Sequence, residues 1–178
     1  MIIKDNMANM CAKVTSTYME FTLAFGPKPE FSFSFKCSKS GLMGQIAESV
    51  LNAGGKVTGV EPQFFIDSEL QYDEITELIV TKDMAERKAK MIELGDAFIA
   101  FPGGTGTLEE IAEVMSMVSL KHLNAPCILY NLNGYYDSLK QLLDHMIKMG
   151  LSSENRQQGI YFADDMEDIK ALLATVTK

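Results

Sequence analysis

The sequence predicts an α/β fold, a mostly parallel sheet with helices on both faces. Three observations predict it. Short apolar runs rich in β-branched and aromatic residues recur from about residue 41 onward. Amphipathic stretches of helical period separate them, and the spacing suits strand–helix–strand crossovers. The 178 residues show no repeat, low-complexity tract or linker, so one domain is expected over residues 1–178.

The strands are "KVTGV" (56–60), "ELIV" (77–80), "DAFIAF" (96–101) and "PCILYN" (126–131). Leu42, Ile46, Val50 and Leu51 trace one helical face, and Met84, Lys88, Met91 and Ile92 lie on the helix before residues 96–101. Ile111, Val114, Met115 and Val118 repeat at i, i+3, i+4 and i+7, the stripe of a third helix. "YYDSLKQLLDHMIKMG" (135–150) reads as a fourth helix stopped by Gly150, and "MEDIKALLATV" (166–176) as a fifth. The first 37 residues break the rhythm. "MANMCAKVTSTYMEFTLAF" is a weak helix former, and "EFSFSF" (30–35) alternates as an edge or half-exposed strand would. The opening strand and glycine turn expected of a nucleotide-binding α/β protein are missing.

A net charge of −8 and an isoelectric point near 4.8 argue against nucleic acid as a partner, while one small nucleotide needs only a few local donors. Cys11, Cys37 and Cys127 form no C-x-x-C pair, and with only His122 and His145 a metal site is not expected. The odd, unpaired cysteines suit a reducing compartment. No stretch approaches the ~18 uninterrupted apolar residues of a membrane span, and the start lacks the order of a secretory signal. A cytoplasmic protein with no membrane partner is the expectation.

The stretch "DAFIAFPGGTGTLEE" (96–110) carries the chemistry. Gly103, Gly104 and Gly106 follow a strand and precede a helix, where free backbone N–H groups meet ligands. Thr107 and Glu110 also spell T-x-x-E, a capping box, and Glu109 and Glu110 suit the positive helix end. Spacing alone leaves the binding turn and the capped turn both open. Three glycines exceed what a cap requires, which favours binding. "SKSGLMGQIAE" (38–48) is a candidate second phosphate loop, its plainer reading being close helix packing at Gly41 and Gly44. In "DMAERKAKM" (83–91), Glu86, Arg87 and Lys88 read most simply as a solvated charged face. Lys88, however, falls with Met84 and Met91, so one cation points inward or snorkels.

Read together, "ERKAKM" and "DAFIAFPGGTGTLEE" resemble the Lonely Guy family, often labelled lysine decarboxylases. The family's P-G-G-x-G-T-x-x-E signature is met by Pro102 to Glu110, and the likeness runs through roughly residues 38–170. It implies a Rossmann-like homodimer that hydrolyses nucleoside 5′-monophosphates, favouring N6-modified adenosine monophosphates, to free base and ribose 5-phosphate. It implies Arg87 and Glu110 as the catalytic pair. Substrate contacts are implied at Glu69, Lys88, Gly41 and Met43. Others fall on the turn from Gly103 and Gly104 through Thr105, Gly106, Thr107 and Glu109, and on Ser116.

That chemistry suits the residue types. Breaking an N-glycosidic bond builds positive charge on the ribose, which a carboxylate can stabilise while orienting water. Arg87 can hold phosphate or ribose by a forked contact that lysine could not reproduce. No cofactor is implied, and no lysine context argues for a pyridoxal phosphate Schiff base. Lys36 and Cys37 stand where family members carry two glycines, so one wall of the nucleotide pocket is expected to be rebuilt. A non-catalytic nucleotide-binding relative with an impaired site is the alternative.

Overall fold

A computed structural model describes residues 2–4, 32–35, 41–66 and 75–176, with only the backbone described at 2–4, 32–35, 41–43 and 175–176. The chain divides into two compact units, residues 1–96 and 97–176, each described by itself.

In the first unit the elements are β1 (Ile2–Lys4), β2 (Ser32–Phe35), α1 (Gly41–Asn52), β3 (Lys56–Pro62), α2 (Gln63–Ile66), β4 (Glu77–Thr81) and α3 (Met84–Leu94). The strands lie in the order β4-β3-β2-β1. Phe33 sits opposite Val57 and Val60 opposite Ile79 in parallel register, whereas β1 runs antiparallel to β2, with Ile3 opposite Phe33. From Val57 to Pro62 every residue of β3 is buried, the mark of a strand covered on both faces. Ile46, Ala47 and Val50 of α1 supply the buried stripe that packs on it.

Two expectations are corrected here. The "EFSFSF" strand is not an edge, because β1 occupies its free side while β3 takes the other. An opening strand also exists; three residues are too short a run for periodicity to register, and its antiparallel direction is not that of a crossover unit. The weak helix read over residues 7–25, together with Cys11 and Cys37, lies outside the described residues.

The second unit holds β5 (Ala97–Ala100), α4 (Thr105–Ser119), β6 (Cys127–Tyr130), a 3-10 turn (Leu132–Gly134), α5 (Asp137–Lys148), α6 (Glu154–Gln157), β7 (Ile160–Ala163) and α7 (Met166–Val176). Its three strands are parallel in the order β5-β6-β7, with Ile99 beside Ile128 and Ile128 beside Tyr161. All of β5 and β6 is buried. The stripe Ile111, Val114, Met115 and Val118 of α4 is buried as its spacing predicted, and so are Met166, Ile169 and Leu173 of α7. Gly150, at φ +74°, follows the end of α5 as predicted. The sequence reading missed β7, whose backbone enters through Gly159 at φ +101° and joins β6 by the bond from Cys127 N–H to the Gly159 carbonyl (2.8 Å). A four-residue strand directly after a one-turn helix leaves too little pattern to see.

The parallel α/β architecture agrees with the predicted Rossmann-like class. Among the described residues, no helix is long and apolar enough to cross a membrane.

Candidate active site

In the first unit, α3 is built around its cap. Asp83 is the N-cap; its carboxylate accepts the Glu86 N–H at 2.8 Å, and the Glu86 carboxylate accepts the Lys82 N–H at 2.7 Å. This reciprocal arrangement is a near relative of the capping box. It explains Glu86 as an exposed structural residue and sets the rotational phase of the helix. One residue on, Arg87 is 0% exposed, and its Nε donates to the Val60 carbonyl of β3 at 2.9 Å. The solvated-face reading of this charge run is therefore corrected at Arg87. Lys88 is half-buried with Met84 and Met91, as its spacing implied, but the cation taken fully inside is its neighbour. Burying a guanidinium carries a desolvation penalty of several kcal/mol, so a fold gains little from one unless it is used.

Glu61, at the end of β3, is 2% exposed, and Thr58 on the same strand is 6% exposed. Neither was among the sequence candidates. The visible signal was a carboxylate inside an apolar strand, directly before a proline.

In the second unit, β5 delivers Phe101 and Pro102 to a turn that opens α4. The helix starts at Thr105 with Gly104 as N-cap and no side-chain cap bond. Thr107 is thus the third residue inside the helix, and the predicted Thr107–Glu110 capping box is not formed. With Gly104 at the N-cap, the helix begins two residues before Thr107. The first-turn N–H groups consequently have no side-chain acceptor at the N-cap, which is the condition for meeting an anion.

The three glycines differ. A Cβ on Gly103 would lie 2.9 Å from the Thr107 Cβ, so Gly103 is required by packing. At Gly104 and Gly106 an added Cβ would meet nothing within 4 Å, and both residues are exposed. Their lack of a side chain serves no internal packing and leaves the helix head open. Glu110 and Glu113 are half-buried one turn apart, while Glu109 and Ser116 are exposed. Gly41 and Met43 lie in the first turn of α1, and Glu69 lies outside the described residues.

A second loop holds the glycine turn, and it too escaped sequence reasoning. Tyr136, buried, donates its hydroxyl to the Phe101 carbonyl at 2.7 Å, and Tyr135 donates to the Gly103 carbonyl. Burial pushes the Tyr136 phenol up to about 12, with Tyr135 and Cys127 adding to the shift, so it remains a donor at neutral pH. Asn131 presents both tyrosines. Its Oδ1 accepts the Tyr136 N–H (2.7 Å), and its Nδ2 donates to Asp137 (2.8 Å) and Asp164 (3.0 Å). The available signal was "NLNGYYD", a turn sequence followed by paired aromatics.

A parallel strand feeding an uncapped, glycine-headed helix defines an α/β protein equipped to seat an anion at a helix N-terminus. The family model described as "Possible lysine decarboxylase" matches residues 43–173, and the chain belongs to that family. It is 42% identical over 131 residues to the cytokinin riboside 5′-monophosphate phosphoribohydrolase of Rhodococcoides fascians, covering 73% of this chain and 66% of that protein. It is 39% identical over 129 residues to cytokinin riboside 5′-monophosphate phosphoribohydrolase LOG4 of Arabidopsis thaliana, covering 72% and 60%. With probable cytokinin riboside 5′-monophosphate phosphoribohydrolase LOGL9 of Oryza sativa subsp. japonica it shares 43% over 110 residues, covering 62% and 48%. The matched segment thus spans less than two thirds of these curated relatives, and the likeness to the Lonely Guy family read from the residues is borne out.

Proposed function

We propose that this protein hydrolyses the N-glycosidic bond of adenosine 5′-monophosphates, N6-modified ones preferred, releasing free base and ribose 5-phosphate. The observation that carries the reading is the head of α4. Its N-cap is a glycine, Gly104 and Gly106 are open to approach, and Glu110 is half-buried in the second turn. The names of the relatives support the same substrate class.

In this reading the 5′-phosphate sits on the N–H groups from Gly104 to Thr107, favoured by the positive end of the helix. Arg87 and Glu110 form the catalytic pair. As the bond from C1′ to the base nitrogen breaks, the base leaves with the electron pair and takes up a proton. Positive charge on the ribose is stabilised by the Glu110 carboxylate, which also orients the water that attacks C1′ and accepts its proton. Arg87, held on β3 before substrate arrives, presents its guanidinium to phosphate or ribose. Lys88, Thr105, Glu109, Ser116, Gly41, Met43 and Glu69 complete the substrate contacts. The working form is a single-domain chain assembled as a cytoplasmic homodimer.

The test is to incubate the pure protein with AMP and with isopentenyladenosine monophosphate and measure released base. Release that disappears in Glu110→Ala supports hydrolysis. Tight binding without release would transfer the protein to the class of nucleotide sensors.

A further inference from the structure

The Gly103–Gly104 peptide is the first link of the helix head, and glycine on both sides makes such a peptide easy to flip. The loop after β6 fixes it. Asn133 at φ +53° and Gly134 at φ +75° fold that loop tightly, and a Cβ on Gly134 would lie 2.6 Å from the Asp137 carboxylate. The three side-chain bonds of Asn131 hold the loop in place, so Tyr135 and Tyr136 emerge from a rigid support. Their rings pack edge to face, with centroids 4.9 Å apart at 88°. Tyr136 secures the Phe101 carbonyl and Tyr135 the Gly103 carbonyl. Tyr135 itself is 53% exposed, so burial alone does not explain its position.

In a trans peptide the carbonyl and the following N–H point in opposite directions. No cis peptide occurs among the described residues. With the Gly103 carbonyl turned to Tyr135, the Gly104 N–H must face the other way. A flipped peptide would present an oxygen lone pair where that N–H now stands, and an anion would be repelled.

We propose that Tyr135 is a positioning residue for the phosphate: its hydroxyl locks the Gly103–Gly104 peptide so that the Gly104 N–H joins the amides that bind the anion. Tyr136 supports it by holding the Phe101 carbonyl two residues earlier. The inference rests on the reading of this turn as the phosphate seat.

The full chain, labelled with nitrogen-15, is titrated with inorganic phosphate, ribose 5-phosphate and adenosine, as wild type and as Tyr135→Phe. The expected result is a Gly104 amide shift with phosphate in the wild type that is largely lost in the variant. Ribose 5-phosphate should bind about tenfold more weakly, the scale of one lost hydrogen bond, while adenosine affinity and melting temperature stay the same. Equal ribose 5-phosphate affinity in the two proteins overturns the proposal. So does parallel loss of adenosine binding and melting temperature, which marks a merely structural role, or a wild type in which phosphate moves no amide of residues 103–107. A wild type that binds phosphate through Gly104 yet releases no base sinks the hydrolase reading and leaves the role of Tyr135 standing.

Discussion

The Nε of Arg87 donates to the main-chain carbonyl of Val60 at 2.9 Å, so a helix side chain satisfies a buried acceptor on the neighbouring strand. Only one of the five guanidinium N–H groups is used by this bond, and the direction of the rest of the fork is set by it. The arginine is held in place before any ligand arrives, which lowers the ordering cost of binding.

Arg87→Lys keeps the charge but cannot reproduce this bond. Losing this charge-assisted bond to a buried carbonyl should cost about 1–3 kcal/mol of stability, read as a lower urea midpoint at unchanged slope. Base release should fall more steeply than stability. A lysine variant as stable as the parent would show that the Val60 contact is incidental.

Glu110→Gln should separate chemistry from folding. Glutamine keeps the size and shape of the half-buried side chain, so the melting temperature should barely move. Losing the carboxylate should slow base release by roughly 10²–10⁴-fold, with substrate affinity close to the parent. A drop in affinity without a drop in turnover would reassign Glu110 to binding alone.

Two glycine substitutions should move in opposite directions. Gly103→Ala forces a methyl group into the Thr107 side chain and should destabilise by about 1–3 kcal/mol. Gly106→Ala meets no atom within 4 Å and improves helix propensity, so it should be neutral or stabilise by up to ~1 kcal/mol. The same methyl group would stand over the open helix head, and ribose 5-phosphate should bind more weakly. Thermal unfolding and calorimetric titration of the two variants check both halves.

Alkaline pH should loosen the second unit. Burial pushes the Cys127 thiol from 9.0 up to about 12, and the Tyr136 phenol moves from 10.0 to about 12. Folded-state values above the unfolded ones mean that the native protein keeps protons the unfolded chain releases. Stability is therefore full below about pH 9 and declines as pH rises toward 12. The urea midpoint measured at rising pH should follow that decline, and Cys127→Ala should flatten its lower part. A midpoint independent of pH over this window would contradict the burial of both groups.

Much of this fold was legible because long amphipathic helices advertise themselves. The stripes of α4 and α7 are buried where their periods placed them, and Gly150 ends α5. The misses share a cause, which is that local pattern cannot report what arrives from elsewhere in the chain. β2 alternates like an edge strand but is flanked by β1, and β7 is four residues long. The T-x-x-E at Thr107 and Glu110 is a genuine cap signal overridden by glycines that start the helix early, while the cap at Asp83 went unread. For the candidate site, the glycine turn and Arg87 were visible as residue types. The burial of Arg87, and of Glu61 on β3, depends on packing, and the tyrosine strap depends on a loop some thirty residues away.

The cap at Asp83 also acts as a clutch on α3. Adjacent residues on a helix are turned about 100° from one another, and here that angle separates a guanidinium taken fully inside from an ammonium left half in solvent. One residue inserted between Asp83 and Arg87 would leave composition, charge and helix content almost untouched. It would nonetheless rotate the arginine off the Val60 carbonyl and bring Glu86 or the inserted residue into its place. The chain would then carry every residue of its family's motif with the gears disengaged.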